Sequence, residues 1–293
     1  MKNLVTVTCE RDFIQMVLQA ESIQKYLEPC NHYVIVNDKN PNIKLWTARL
    51  NSYYTNHKLT IIKQQDLFDN YLNYNGYESQ QVCKFEIAKV IREDYLLLDS
   101  KNFFIKPTSL DEWDNLIGTG AIEARKNLTA EYSDYLMSAG VVNNDWAKYV
   151  DLYAEKLNIP VPDYYLANST PFKVIVTDEL LNKDISSELK LESDISEFIW
   201  YSLLNNDLID LNKNLCKRNF LKFHTCFHAP RLLNKILKEM SDGKYFNSID
   251  ANPSIKVLGF HIKFIESCSK SHIDIINKWL ISKEFSFQFQ PKR

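Results

Sequence analysis

Along residues 1–100, short apolar runs alternate with stretches whose apolar positions recur at helical spacing. Residues 4–9 form a β-branched run. Asp12 then stands before Phe13, Met16, Val17, Ala20, Ile23 and Leu27, which predicts a capped helix. Residues 33–36 read as a second strand stopped by Asn37 and Asp38, residues 44–54 as a helix, and residues 59–63 as a third strand. Residues 78–92 place Val82, Phe85, Ala88 and Ile91 on one helical stripe. The run Tyr95-Leu96-Leu97-Leu98 follows and ends abruptly in Asp99-Ser100-Lys101-Asn102. A continuous apolar run of this kind fits a strand buried on both faces, as in a parallel sheet covered by helices. The rhythm predicts right-handed crossovers and an α/β fold with a Rossmann-type, mostly parallel central sheet flanked by helices. Asp99 then sits at a strand's carboxyl end, where open α/β sheets bind ligands.

The short link between the 78–92 helix and the 95–98 strand makes them antiparallel. At ~1.5 Å per helical residue and ~3.3 Å per strand residue, Gln81 and Lys84 reach the same side of the sheet as Asp99. The second half is less regular. Residues 110–115, 145–157 and 178–182 have helical character, with Pro160, Pro162 and Pro171 marking loops. Residues 193–204 read as a helix capped by Ser193, with Asp194 and Glu197 in its first turns where they suit the helix dipole. Residues 255–264 read as a strand and 271–281 as a closing helix. Without repeats, low-complexity tracts or a linker, the expectation is one domain, with a regular half over residues 1–108 and a mixed half over 109–293.

Composition narrows the function classes. With 35 basic and 37 acidic residues the 293-residue chain lacks the basic excess of a nucleic-acid binder, so nucleic acid is not an expected partner. The six cysteines lie far apart, without the close pairs of structural zinc sites, and read as reduced thiols of a cytoplasmic protein. His224 and His228 flank Cys226, yet no four-ligand set completes a zinc site. Six glycines leave no Gly-x-Gly-x-x-Gly and no Walker A loop, since Gly118-Thr119-Gly120 has the rest of neither. The amino terminus reads as a strand and not as a signal peptide, and no run approaches the ~20 apolar residues of a membrane span.

Five patches carry a resemblance. They are Val5-Thr6-Val7-Thr8 through Asp12, Val34-Ile35-Val36-Asn37-Asp38, Gln80-Gln81-Val82-Cys83-Lys84 leading into Leu97-Leu98-Asp99-Ser100-Lys101-Asn102, Ser196-Glu197-Phe198, and Val257-Leu258-Gly259-Phe260-His261. In this order the chain resembles the GT-A-type glycosyltransferases, and more narrowly a poorly characterised bacterial and phage family with an Asp-Ser-Lys-Asn or Asp-Ala-Asp core. The resemblance implies a GT-A-like fold whose first half binds a nucleotide-diphosphate sugar, a UDP- or GDP-sugar, and whose second half holds the acceptor and a catalytic base. Asp99, Asn102 and His261 are then candidate ligands of Mn²⁺ or Mg²⁺, which would bridge the phosphates as a Lewis acid. Thr8, Asp12, Asp38, Gln81, Lys84, Ser100 and Lys101 are candidate donor-binding residues. Glu197 is the candidate general base toward an acceptor hydroxyl of a glycan.

The chain departs from the Asp-x-Asp form at Lys101. An ammonium there can neutralise phosphate directly, so a metal-independent reaction stays open beside the metal-dependent one. A sugar-nucleotide pyrophosphorylase is a poor rival, because Thr8-Cys9-Glu10-Arg11-Asp12 lacks the glycines of its phosphate loop. The alternative from another class is a catalytically silent module that binds glycan or protein and needs neither Asp99 nor Glu197.

Overall fold

A computed structural model of the chain describes residues 1–113, 122–124, 147–161, 164–166, 171–190, 197–205, 222–226, 230–253 and 255–290. β1 (Asn3–Thr8), α1 (Phe13–Tyr26), β2 (Asn31–Val36), α2 (Ile43–Asn51) and β3 (Lys58–Lys63) alternate as the periodicity predicts, although Asp12, at the N-cap of α1, makes no side-chain capping bond and accepts from Ser100 instead. α3 (Gly76–Glu86), the short α4 (Ala88–Ile91) and β4 (Tyr95–Asp99) complete the regular half. β3, β2, β1 and β4 lie side by side in that order, all parallel, and β8 (Phe172–Val174) adds antiparallel to the outer edge of β4. The fold is mixed α/β, with a mostly parallel central sheet flanked by helices.

Strand alternation divides the sheet into two apolar faces. Leu4, Val34, Val36, Leu96 and Leu98 are wholly buried on the side of α1 and α2, against Met16, Ala20, Ile23 and Trp46. Val5, Val7, Ile35 and Leu97 face the other way, into a core with Val82 and Phe85 of α3. That core also takes Val150 and Tyr153 of α5 (Ala147–Leu157) and Phe198 and Trp200 of α8 (Glu197–Leu204). Between α5 and α8 the chain forms α6 (Asp178–Asn182) and α7 (Ile185–Leu189), while β6 (Ile122–Ala124) and β7 (Tyr164–Leu166) pair antiparallel in a two-stranded sheet of their own.

Several boundaries differ from the sequence reading, among them the helix expected over 44–54, which runs Ile43–Asn51. The 78–92 helix starts earlier, because Asn75 accepts from Tyr77 N and Glu78 N while Glu78 accepts from Asn75 N, a capping box. It also divides at Ile87 and stops where Arg92 turns left-handed at φ 55°. The strand expected over 255–264 is β10 (Ile255–Phe260), cut short because His261 caps α11 (Ile262–Ser267) by accepting from Lys263 N. Residues 110–113 form a 3₁₀ turn, Leu110–Trp113, in place of an α-helical start. The expected cap Ser193 and its neighbour Asp194 lie outside the described residues, and α8 is described from Glu197 onward.

β5 (Asn102–Phe104) leaves the central sheet just after β4 and joins a second one. There β10 pairs antiparallel with β5 and parallel with β9 (Lys222–Cys226), and Gly259 stands opposite Asn102. Helices α9 (Pro230–Ser241), α10 (Lys244–Ala251) and α12 (Lys270–Ser282), with Phe285 and Phe289 beyond them, share a core with Phe103 of β5 and Phe260 of β10. Among the described residues no helix is long and apolar enough to cross a membrane.

Candidate functional site

The chain winds from β1 outward to β3 and returns to β4 on the opposite side of β1, so the carboxyl ends of β1 and β4 flank the point where the strand order reverses. Ligands of open α/β sheets bind at that crevice. Thr8 ends β1, Asp99 ends β4, and Val7 is the register partner of Asp99. Tyr95, Leu97 and Asp99 share the face toward α3, which carries Lys84 to the same place.

The Asp99 carboxylate is bracketed by two ammonium groups. Lys84 Nζ lies 3.5 Å from Oδ1, and Lys101 Nζ donates to Oδ2. Lys84 also donates to Glu197 Oε1 at 2.8 Å and sits 4.9 Å above the Phe198 ring. Both Lys84 and Glu197 are 4% exposed, so the pair is desolvated. Burial alone would depress the Lys84 ammonium, but the charges of Glu197 and Asp99 outweigh it and lift Lys84 above the ordinary lysine range. Lys84 is therefore a permanent cation held between a motif carboxylate and a helix-start carboxylate. Tyr95 OH donates to the Lys84 carbonyl at 2.6 Å and fixes the α3 backbone beneath it.

The 99–102 turn is tied down on all sides. Asn102 Oδ1 accepts from Asp99 N at 3.1 Å, and Ser100 Oγ donates to Asp12 Oδ2 at 3.2 Å. The Lys101 carbonyl accepts from Phe260 N at 3.1 Å, which brings the end of β10 beside the turn. Thr8 Oγ1 and Gln81 Oε1 are buried at this edge with no hydrogen-bond partner among the described residues. Asp38, in the turn just after β2, accepts from Glu10 N at 2.8 Å, while Gln64 and Gln65 donate to its carbonyl. Burial first, then the charges of Glu10 and Asp12, pushes its carboxyl up.

Of the expected site residues, contacts link Asp99, Lys84, Lys101 and Glu197 into one network, and tie Asn102 to Asp99 and Ser100 to Asp12. Asp38 belongs to a neighbouring turn. The expected metal ligands fit a divalent ion poorly. Both oxygens of Asp99 face ammonium groups, Asn102 Oδ1 is turned to a backbone N–H, and His261 Nδ1 accepts from Lys263 N at 3.2 Å. Among the described residues no three His, Cys, Asp or Glu side chains are grouped to hold a metal.

Sequence reasoning missed Gln15, Gln19 and Ser22 of α1, all buried. Gln19 Nε2 donates to the carbonyls of Asp99 and Asn102 at 2.9 and 2.8 Å. The available signal was three polar residues at i, i+4 and i+7, sharing a face with the apolar stripe that must meet the sheet.

A family model described as "Family of unknown function (DUF6492)" matches residues 8–155. No curated protein matches the sequence. Among solved structures the chain is similar to the galactosyltransferase LgtC in complex with donor and acceptor sugar analogs, at 11% identity and a TM-score of 0.44, over 99% of this chain and 98% of that one. It is similar to the bifunctional glycosyltransferase WbbM at 14% identity and a TM-score of 0.46, over 94% of this chain and 51% of that one. Likeness to mouse xyloside xylosyltransferase 1 is at 10% identity and a TM-score of 0.43, over 90% of this chain and 98% of that one.

Proposed function

The chain belongs to DUF6492, a family of unknown function, and from the charge network at its β1–β4 edge we propose that it is a glycosyltransferase moving a sugar from a nucleotide-diphosphate donor to a hydroxyl acceptor. The observation that carries this reading is Lys84, which joins Asp99 at 3.5 Å to Glu197 at 2.8 Å. Breaking the bond between sugar and diphosphate leaves growing negative charge on the leaving phosphate. Fixed cations at a desolvated strand edge stabilise such charge without reorganising. Lys101, whose side chain is 19% exposed against 5% for Lys84, is the phosphate contact in this reading.

The remaining roles follow from position. Thr8 ends β1 and Asp38 lies in the turn just after β2, beside which the nucleoside lies, and Gln81, Ser100 and Asp12 line the same edge. Glu197 takes the proton of the acceptor hydroxyl as it attacks. The charge that Mn²⁺ or Mg²⁺ supplies in the resembled family is supplied here by the two lysines. The acceptor is a glycan or another hydroxyl-bearing molecule.

A thermal-shift panel of UDP, GDP, CDP and dTDP with their common sugars, each with and without Mn²⁺, tests the reading, because a ligand that binds the folded state raises its stability by mass action. Stabilisation by one nucleotide without Mn²⁺ is the expected result. Stabilisation only with Mn²⁺ would return the phosphate charge to a metal and overturn the lysine assignment. No stabilisation by any nucleotide would favour the silent binding module.

A further inference from the structure

The polar stripe of α1 is spent on the strands that carry the site. Gln15 Nε2 donates to the Phe260 carbonyl at 2.5 Å, Gln19 Nε2 to the Asp99 and Asn102 carbonyls, and Phe104 N donates to Ser22 Oγ at 3.0 Å. Behind Gln19 the hydrogens can be counted one by one. Both hydrogens on its amide nitrogen are committed to the two carbonyls, so Thr6 Oγ1 donates its single proton to Gln19 Oε1, at 2.8 Å. Thr6 Oγ1 then accepts from His32 Nε2 at 3.0 Å, which makes His32 the Nε2–H tautomer. The remaining ring nitrogen, Nδ1, accepts from Tyr54 OH at 2.6 Å. Thr6, Gln19 and His32 are wholly buried. Burial, with His57 as a smaller cause, pushes the imidazole down to about 3, so it stays neutral as the chain of donors requires.

These bonds run in one direction across the sheet, from Tyr54 through His32 and Thr6 to Gln19 and the Asp99 turn. Thr6 and His32 lie on the α1 face, whereas the Asp99 carboxylate lies on the α3 face. Asp99 is thus gripped by its carbonyl from one side and by its carboxylate from the other.

We propose that Gln19, oriented by Thr6, His32 and Tyr54, is a positioning residue that sets the Asp99 carboxylate between Lys84 and Lys101. Its consequence for ligand binding rests on the reading of this edge as a diphosphate site. A buried polar group without its partner is costly, so a fully satisfied chain of this kind holds one geometry. Small displacements of a positioned charge are in turn enough to weaken a site.

The test compares Thr6→Val with Thr6→Ser in the full chain labelled with γ-¹³C aspartate, the Asp99 carboxyl signal being assigned by its loss in Asp99→Asn. If Thr6 only packed, valine, which keeps its shape, would be the milder change and serine the worse. The relay reverses that order. Thr6→Val should displace the Asp99 signal and weaken binding of inorganic pyrophosphate about tenfold, while Thr6→Ser keeps both near wild type. Gln19→Glu, equal in shape but without the N–H donors, should displace the same signal and serves if Thr6→Val fails to fold. An unmoved Asp99 signal in folded Thr6→Val or Gln19→Glu overturns the inference, whatever pyrophosphate does. A displaced signal in a protein whose wild type binds no pyrophosphate upholds the positioning and overturns the diphosphate reading instead.

Discussion

The Lys84 ammonium donates to Glu197 Oε1 at 2.8 Å across 113 residues of sequence, and this one bond ties the helix start of α8 to the strand edge that holds Asp99. A buried pair is most costly when only one partner is removed. Lys84→Met should lower unfolding stability by about 3–5 kcal/mol, since it strands a buried carboxylate. Adding Glu197→Gln to that variant should restore part of the loss. Urea unfolding of the two single variants and the double variant measures the coupling, and strictly additive losses would deny it.

Glu197→Gln also separates two roles for the carboxylate. As the base that takes the acceptor proton, its loss should leave nucleotide binding near wild type while transfer falls at least ~10²-fold. Loss of nucleotide binding together with transfer would instead make Glu197 a support of Lys84.

Asp99→Asn and Lys101→Met probe the other end of the network. Asp99 and Lys101 are less buried than Lys84, so both variants should melt within a few degrees of wild type. Turnover should fall by about 10²-fold or more in each, the usual scale for removing one preorganised charge. Lys101→Arg should retain more nucleotide affinity than Lys101→Met, because the charge persists. Steady-state rates alongside melting curves decide this, and an unchanged rate in Asp99→Asn would remove Asp99 from the mechanism.

How much of this was legible in the chain depends on whether a contact is local. β1 to β4 and their helices follow from apolar period, and the place of Asp99 follows from one strand end. The shared edge of Lys84 and Asp99 follows from a short link and two rises per residue. The Lys84–Glu197 pair did not, because no periodicity reports a partner so distant in sequence. Nor did the antiparallel β8, whose Phe172-Lys173-Val174 is too short to show alternation. The strand expected through residue 264 failed because His261 reads as a neutral position until its ring is seen capping α11. Gln15, Gln19 and Ser22 were visible as polar residues on an apolar face, and only their partners in β4, β5 and β10 give that pattern meaning.

Stability should fall in mild acid through His32. Its folded value is pushed to about 3, chiefly by burial, while an unfolded histidine titrates near ~6.5. The unfolded chain therefore binds the proton first as pH falls, and stability declines from about pH 6.5 downward at up to ~1.4 kcal/mol per pH unit. Above that window the contribution is complete. His57, also lowered by burial, adds in the same direction. Urea unfolding at intervals from pH 7 to 4 should show a shallower slope in His32→Gln than in wild type. Equal slopes would mean that His32 does not set the acid limit.

The capping box at the start of α3 should matter to the site as well as to the helix. Asn75 accepts from two backbone N–H groups, and Glu78 returns the bond at 2.9 Å, so the first turn of α3 is anchored at one point. Asn75→Ala should cost about 1 kcal/mol of stability, and Asn75→Asp, which keeps the acceptor, should cost much less. Because α3 carries both Gln81 and Lys84, fraying of its first turn should reach Gln81, a turn away, before Lys84, which Glu197 and the Tyr95 hydroxyl hold independently. Amide exchange in Asn75→Ala should therefore quicken over residues 77–81 and stay slow at 84–86. Uniform quickening through residue 86 would show that the α3 end of the site depends on its cap and not on the ion pair.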